Sequence, residues 1–212
     1  MSTSRSELTR RKLIDAARTE FAEHGIAGAR VDRIAELSGV NKQRIYPNFG
    51  SKEGMFAAVI SDTYKDLAEQ VPIPETIEAM REYVGVVFDY HARSSDLARL
   101  IAWEGLHYGA NDFPGQEERE AYYLGKGRKL AGVLGIDDPR EAAHLLLSLI
   151  AVASWPFVAE QQRRLMAGSE SCTPEGRARL RESLVGYGRT LVDAVCADGA
   201  RGAAGAEGAA RN

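Results

Sequence analysis

Nowhere in this 212-residue chain does an apolar–polar alternation of period two persist together with β-branched residues, the pattern a half-buried strand requires. Proline and glycine instead cut the sequence into stretches whose apolar residues recur three and four apart. The expectation is an all-α fold of about nine helices. The first runs from about Ser6 to His24 on Leu8, Leu13, Ile14, Ala17 and Phe21, with Gly25 as its left-handed stop. A second covers Val31 to Ser38, broken by Gly39-Val40, and a third Lys42 to Asn48. Ser51 caps a fourth that turns Met55, Phe56, Val59 and Ile60 inward and stops at Val71-Pro72-Ile73-Pro74, the best linker candidate. Further helices are expected over 75–92, 96–109 (after a Ser94/Ser95 cap), 115–134 and 139–167. The last of these is opened by Asp138-Pro139-Arg140-Glu141 and kinked at Pro156. Thr173-Pro174-Glu175 opens the final helix, ending near Ala197, and the Gly/Ala-rich residues 199–212 are expected to be disordered.

The formal net charge of −3 conceals an asymmetry. Residues 1–52 carry +4 and the remaining 160 carry −7. A small basic module on an acidic body suits local contact with a polyanion, although charge alone fits a solvated, evenly mixed surface equally well. No uninterrupted apolar run reaches the roughly 18 residues of a membrane span, and the polar start lacks a secretory core, so the expectation is a cytoplasmic protein with no membrane partner. Cys172 and Cys196 have neither metal-ligand spacing nor the framework of paired bridges, and are expected to be free thiols; a disulfide between them is the minor alternative.

Residues 31–49 carry the functional signal. Val31, Ile34, Ala35 and Val40 are placed to pack against Ile45 and Phe49 around a tight turn at Gly39, which projects the second helix outward. A helix that protrudes from a small basic domain fits the major groove, and Lys42, Gln43 and Arg44 are the side chains it would offer to base edges, or to phosphates. Arg5, Arg10, Arg11 and Lys12 form a basic approach to it, or simply a solvated flank.

The stretch VDRIAELSGVNKQRIYPNFGSKEGMF, with the helix before it, resembles the tetracycline-repressor (TetR) family signature over about residues 7–60. The ordered set Gly39, Tyr46, Phe49 and Lys52 carries the likeness. The resemblance implies a helix-turn-helix (HTH) DNA-binding domain at 1–52 and a helical effector-binding and dimerisation domain at 53–198. It implies groove-facing roles for Lys42, Gln43 and Arg44, and phosphate-clamping roles for Tyr46, Asn48 and Lys52. Three positions depart from the pattern. Pro47 removes a backbone donor, which predicts an early end to the recognition helix. Arg30-Val31 replaces the usual capping Ser or Thr, leaving Arg30 a phosphate contact but no cap, and Asn41 stands where Ser is common, as an equally good cap.

A single HTH reads a short half-site, so the body should pair two copies on a palindromic duplex. The stripe Leu180, Leu184, Tyr187, Leu191 and Val195, together with the largely apolar helix at 139–167, predicts a homodimer through the last two helices, although both stripes also suit internal core. Trp103, Glu104, His107, Tyr108, Tyr122 and Trp155 are candidates to line an effector pocket, and equally candidates for core. The resemblance implies a repressor released by a small molecule; a constitutive regulator is the alternative. No nucleophile motif or phosphate loop argues for an enzyme, and no catalytic residue or cofactor is expected. A metal site from His91, His107, His144 and Glu104 and a pure interaction protein are the remaining rivals.

Overall fold

The computed structural model describes residues 5–209, with side chains to residue 197. The described residues hold eleven α-helices and no strand. They form two compact units: the chain up to Gln70 with Ser94–Gln116, and Val71–Arg93 with the chain from Glu117 onward. These units depart from a division at residue 52, because the fourth and seventh helices pack with the first.

In the first unit α1 (Arg5–Gly28) buries Leu13, Ile14, Ala17 and Phe21. It is followed by α2 (Val31–Ser38), a 3-10 turn (Lys42–Arg44), α3 (Ile45–Phe49) and α4 (Lys52–Gln70). Ser51 Oγ accepts the Gly54 N–H at 3.0 Å, the cap expected of it, and α4 turns Met55, Phe56, Val59 and Ile60 into the core. Phe56 meets Phe21 edge-on at 5.2 Å. Asp62 of α4 ties back to α1 by accepting from Arg18 at 2.6 Å and from Arg11 at 3.2 Å.

The same unit receives α7 (Asp96–Tyr108), reached after α5 (Ile77–Arg81) and α6 (Tyr83–Arg93) of the other unit. Arg99 Nε and Trp103 Nε1 of α7 both donate to the Ala22 carbonyl, at 2.7 and 3.3 Å. Gly25 breaks α1 at φ 67°, ψ 179°, which frees carbonyls there and lets the indole of Trp103 lie against the backbone. The first helical run thus stops at Gly25, as expected, and a short second turn follows to Gly28.

In the second unit α6 packs on α9 (Pro139–Val158) and α11 (Pro174–Ala209), while α8 (Gln116–Leu134) and α10 (Glu160–Ala167) complete it. Asp138 Oδ1 accepts the Arg140 N–H at 2.8 Å and Thr173 Oγ1 accepts the Gly176 N–H at 3.0 Å, each followed by proline in the first turn. The helix expected over 139–167 is two helices, broken at Ala159 (φ −111°, ψ 56°) just after Pro156 removes one amide donor. The helix expected over 75–92 is likewise two, with Thr76 accepting from the Ala79 N–H and a break at Glu82. The last helix runs to Ala209 rather than ending near Ala197. Residues 210–212 of the tail expected to be disordered lie outside the described residues. By length and composition Pro139–Val158 would span a bilayer, but here Leu145, Leu146, Leu149 and Phe157 are buried core. Neither cysteine is in a disulfide.

Arg181 of α11 grips Asp89 of α6 through two bonds of 2.7 and 2.8 Å. His91 is 4% exposed, packs between Tyr90 and Phe157, and has an Nδ1 with no hydrogen-bond partner. Burial holds its pKa down at about 4. The folded state therefore binds the proton less readily than the unfolded chain, so stability present at neutral pH is lost as pH falls from about 6.5 toward 4. A His91→Leu variant is expected to lose about 2 kcal/mol less than the native protein between pH 7 and pH 5, as read from urea unfolding at both pH values.

Candidate nucleic-acid interface

The hinge of the site is set by local chemistry. Gly39 closes α2 in the left-handed region (φ 64°, ψ 21°), where its N–H reaches the carbonyl of Glu36, and Ser38 Oγ receives the Val40 N–H at 3.2 Å. Asn41 Oδ1 accepts the Gln43 N–H at 2.9 Å, the cap expected of Asn41. Pro47 alters the start of the recognition helix rather than its end. A helix running from Lys42 would need a Pro47 N–H to reach Gln43, whereas a 3-10 turn over Lys42–Arg44 and a restart at Ile45 place Pro47 in a first turn, where no amide bond is missed. The helix then continues to Phe49.

Ile45 and Ile34 are buried and anchor the hairpin, with Val31, Ala35, Val40 and Phe49 half-buried around them. Lys42, Gln43, Arg44 and Tyr46 all stand exposed on the outer side. Among the described residues the side chains of Gln43 and Arg44 make no hydrogen bond or ion pair. Lys42 Nζ lies 2.7 Å from Asp32 Oδ1 on α2, which lowers the Asp32 pKa and raises that of Lys42 through their hydrogen bond and charges. Asn48 spends one amide hydrogen on the Arg44 carbonyl at 2.6 Å, and Lys52 Nζ reaches the Ala27 and Ala29 carbonyls at 3.3 and 3.5 Å. Of the basic N-terminal approach, Arg10 lies over the Phe49 ring at 5.4 Å and Arg11 pairs with Asp15 and Asp62.

Arg30 is exposed and its side chain provides no cap. Its own amide is held instead by Glu20 Oε1 at 2.8 Å, and the same carboxylate, 1% exposed, meets Arg33 Nη1 at 3.4 Å. Sequence reasoning missed both Glu20 and Asp32. Glu20 left a signal, being a carboxylate in the inward stripe of α1 between Ala17 and Phe21.

If Lys42 meets a duplex, Asp32 competes for it, and Asp32→Asn is then expected to raise affinity for any duplex several-fold and to steepen the log–log salt slope by about one. Anisotropy titrations of a labelled duplex across a salt series would show it; an unchanged slope would mean that Lys42 takes no phosphate.

The six residues considered for an effector pocket do not share one unit. Trp103, Glu104, His107 and Tyr108 belong to the first, with Trp103 bound to α1 and the His107 ring on Tyr108 at 4.7 Å. Tyr122 and Trp155 belong to the second, where Trp155 is 57% exposed and donates to Gln162. Among the described residues no group of three or more His, Cys, Asp or Glu is placed to hold a metal ion.

Two short helices anchored by buried Ile34 and Ile45, joined by a tight turn at Gly39 and presenting three consecutive exposed polar side chains, form a helix-turn-helix. The comparisons place it more closely. The family described as bacterial regulatory proteins of the tetR family matches residues 13–59, and the tetracyclin repressor-like C-terminal domain matches residues 79–196. The HTH-type transcriptional repressor SCO4008 of Streptomyces coelicolor is 38% identical over 91% of this chain and the whole of that protein. The repressor NicS of Pseudomonas putida is 30% identical over about half of each chain. Among solved structures, the transcriptional regulator SCO4942 of Streptomyces coelicolor aligns at TM-score 0.71 with 31% identity, covering 86% of this chain and 97% of that one. The chain belongs to the TetR family of DNA-binding transcriptional regulators.

Proposed function

We propose that the protein is a cytoplasmic repressor that holds a palindromic operator as a homodimer and lets go when a small molecule enters its C-terminal unit. The observation that carries the DNA reading is the exposure of Lys42, Gln43 and Arg44 on the turn between two buried isoleucines. In this reading Gln43 and Arg44 meet base edges, Lys42 leaves Asp32 for the duplex, and Tyr46, Asn48, Lys52 and Arg30 meet phosphates. Lys52 and Asn48 carry donors beyond those spent internally, so each can do both.

Pairing through the end of the chain is supported by Leu147, Trp155, Leu165, Met166 and Tyr187, large apolar side chains that α9, α10 and α11 leave 57–87% exposed. The SCO4008 and NicS proteins are named repressors, which supports the sign of regulation. Effector binding would act by shifting the population of subunit geometries that fit two half-sites.

Sedimentation and salt-dependent anisotropy test the two halves together. A particle of twice the chain mass is expected, with duplex affinity falling by about a thousandfold or more between 50 and 200 mM salt if six or more phosphates are neutralised. A monomer, or affinity indifferent to salt, would overturn the reading.

A further inference from the structure

We propose that the small molecule is an organic acid, an apolar body bearing one carboxylate or comparable anion, and that Lys126 on α8 pairs with that anion. The inference rests on the reading of the second unit as effector-binding.

Its starting point is a lysine in the wrong place for a solvated one. Tyr122, Lys126, Leu130 and Leu134 follow one another at four-residue steps, so they share one stripe of α8. Leu130 is fully buried, Leu134 nearly so, and the Tyr122 hydroxyl is sealed from solvent. Tyr122 is also close enough to the buried Tyr83 of α6 to help raise its pKa, so this stripe faces the interior of the unit. The pattern asks for an apolar residue at 126.

Lys126 is half-buried there, and its ammonium lies 4.8 Å from the centre of the Tyr122 ring. No carboxylate pairs with it among the described residues. Burial alone pulls its pKa down to about 8, with no charged neighbour contributing. An inward cation without a counter-ion costs stability unless something else provides the anion. The aromatic ring beneath it suits an apolar or aromatic body next to the charge. The acid chosen by this chemistry is therefore small, largely apolar and singly charged at one end.

Thermal unfolding of the full-length protein with benzoate, phenylacetate and octanoate, against the matching primary amides, tests the assignment. At saturating acid the midpoint is expected to rise by about 5 °C or more, the amides doing far less. Lys126→Met should melt higher than the native protein without ligand and lose the response to acids, while Lys126→Arg keeps part of it. Amides as effective as acids, no shift from any acid, or an undiminished response in Lys126→Met would overturn the proposal. Acids that stabilise the protein through Lys126 but leave operator affinity unmoved would uphold the ligand class and overturn release as its consequence.

Discussion

Gly25→Ala is expected to destabilise the N-terminal unit by about 4 kcal/mol, a large part of the 5–15 kcal/mol that typically holds a domain together. Two costs combine. The backbone at φ 67°, ψ 179° lies in a region that essentially only glycine occupies, which alone costs about 1–3 kcal/mol for any other residue. A Cβ there would also stand 2.7 Å from Cδ2 and Cε3 of Trp103, so the indole must leave its place and its bond to the Ala22 carbonyl. Gly28→Ala is the control, since its Cβ would meet only His24 Cβ at an ordinary 3.5 Å and should be neutral or slightly stabilising. Urea unfolding followed by far-ultraviolet circular dichroism separates the two. If steric conflict dominates, Trp103→Ala in the Gly25→Ala background should cost much less than Trp103→Ala alone; additive losses would assign the effect to backbone strain.

Glu20→Ala should cost about 3 kcal/mol and, unlike most core changes, should weaken DNA binding beyond its effect on stability. The carboxylate is buried and accepts the Arg30 amide at the mouth of α2, where no side chain caps the helix. Its loss strands that N–H and leaves a cavity, each costing about 1–3 kcal/mol. Glu20→Gln retains an acceptor and should recover roughly half, leaving Arg33 without its charged partner. Binding measured at temperatures where both variants remain folded would isolate the effect on α2; equal affinity for native protein and Glu20→Ala would show that the hairpin keeps its position without this bond.

The caps at Ser51, Asp138 and Thr173 were legible in the sequence because an N-cap depends on residues within three positions of itself. The hairpin was legible for the same reason, through Gly39 and Asn41. The break at Glu82 was not, since no proline or glycine stands there, and Pro156 signalled an interruption of the long helix three residues before the place, Ala159, where it falls. Trp103 illustrates the larger limit. Its aromatic spacing suits a pocket as well as a core, and only the fold reveals that its indole donates to a carbonyl 81 residues away. Asn48 and Lys52 likewise have the chemistry of phosphate contacts, and only the fold reveals that each also serves a neighbouring carbonyl.

Selection of bound duplexes from a random pool is the most direct test of the claim that the segment from Asn41 to Phe49 reads DNA. The account predicts a palindrome with half-site centres about 10 base pairs, or a larger fixed distance, apart. It further predicts that Gln43→Ala and Arg44→Ala change the preferred bases at positions symmetric about the centre. Recovery of no shared motif, or of the same motif at the same affinity with the double variant, would contradict it.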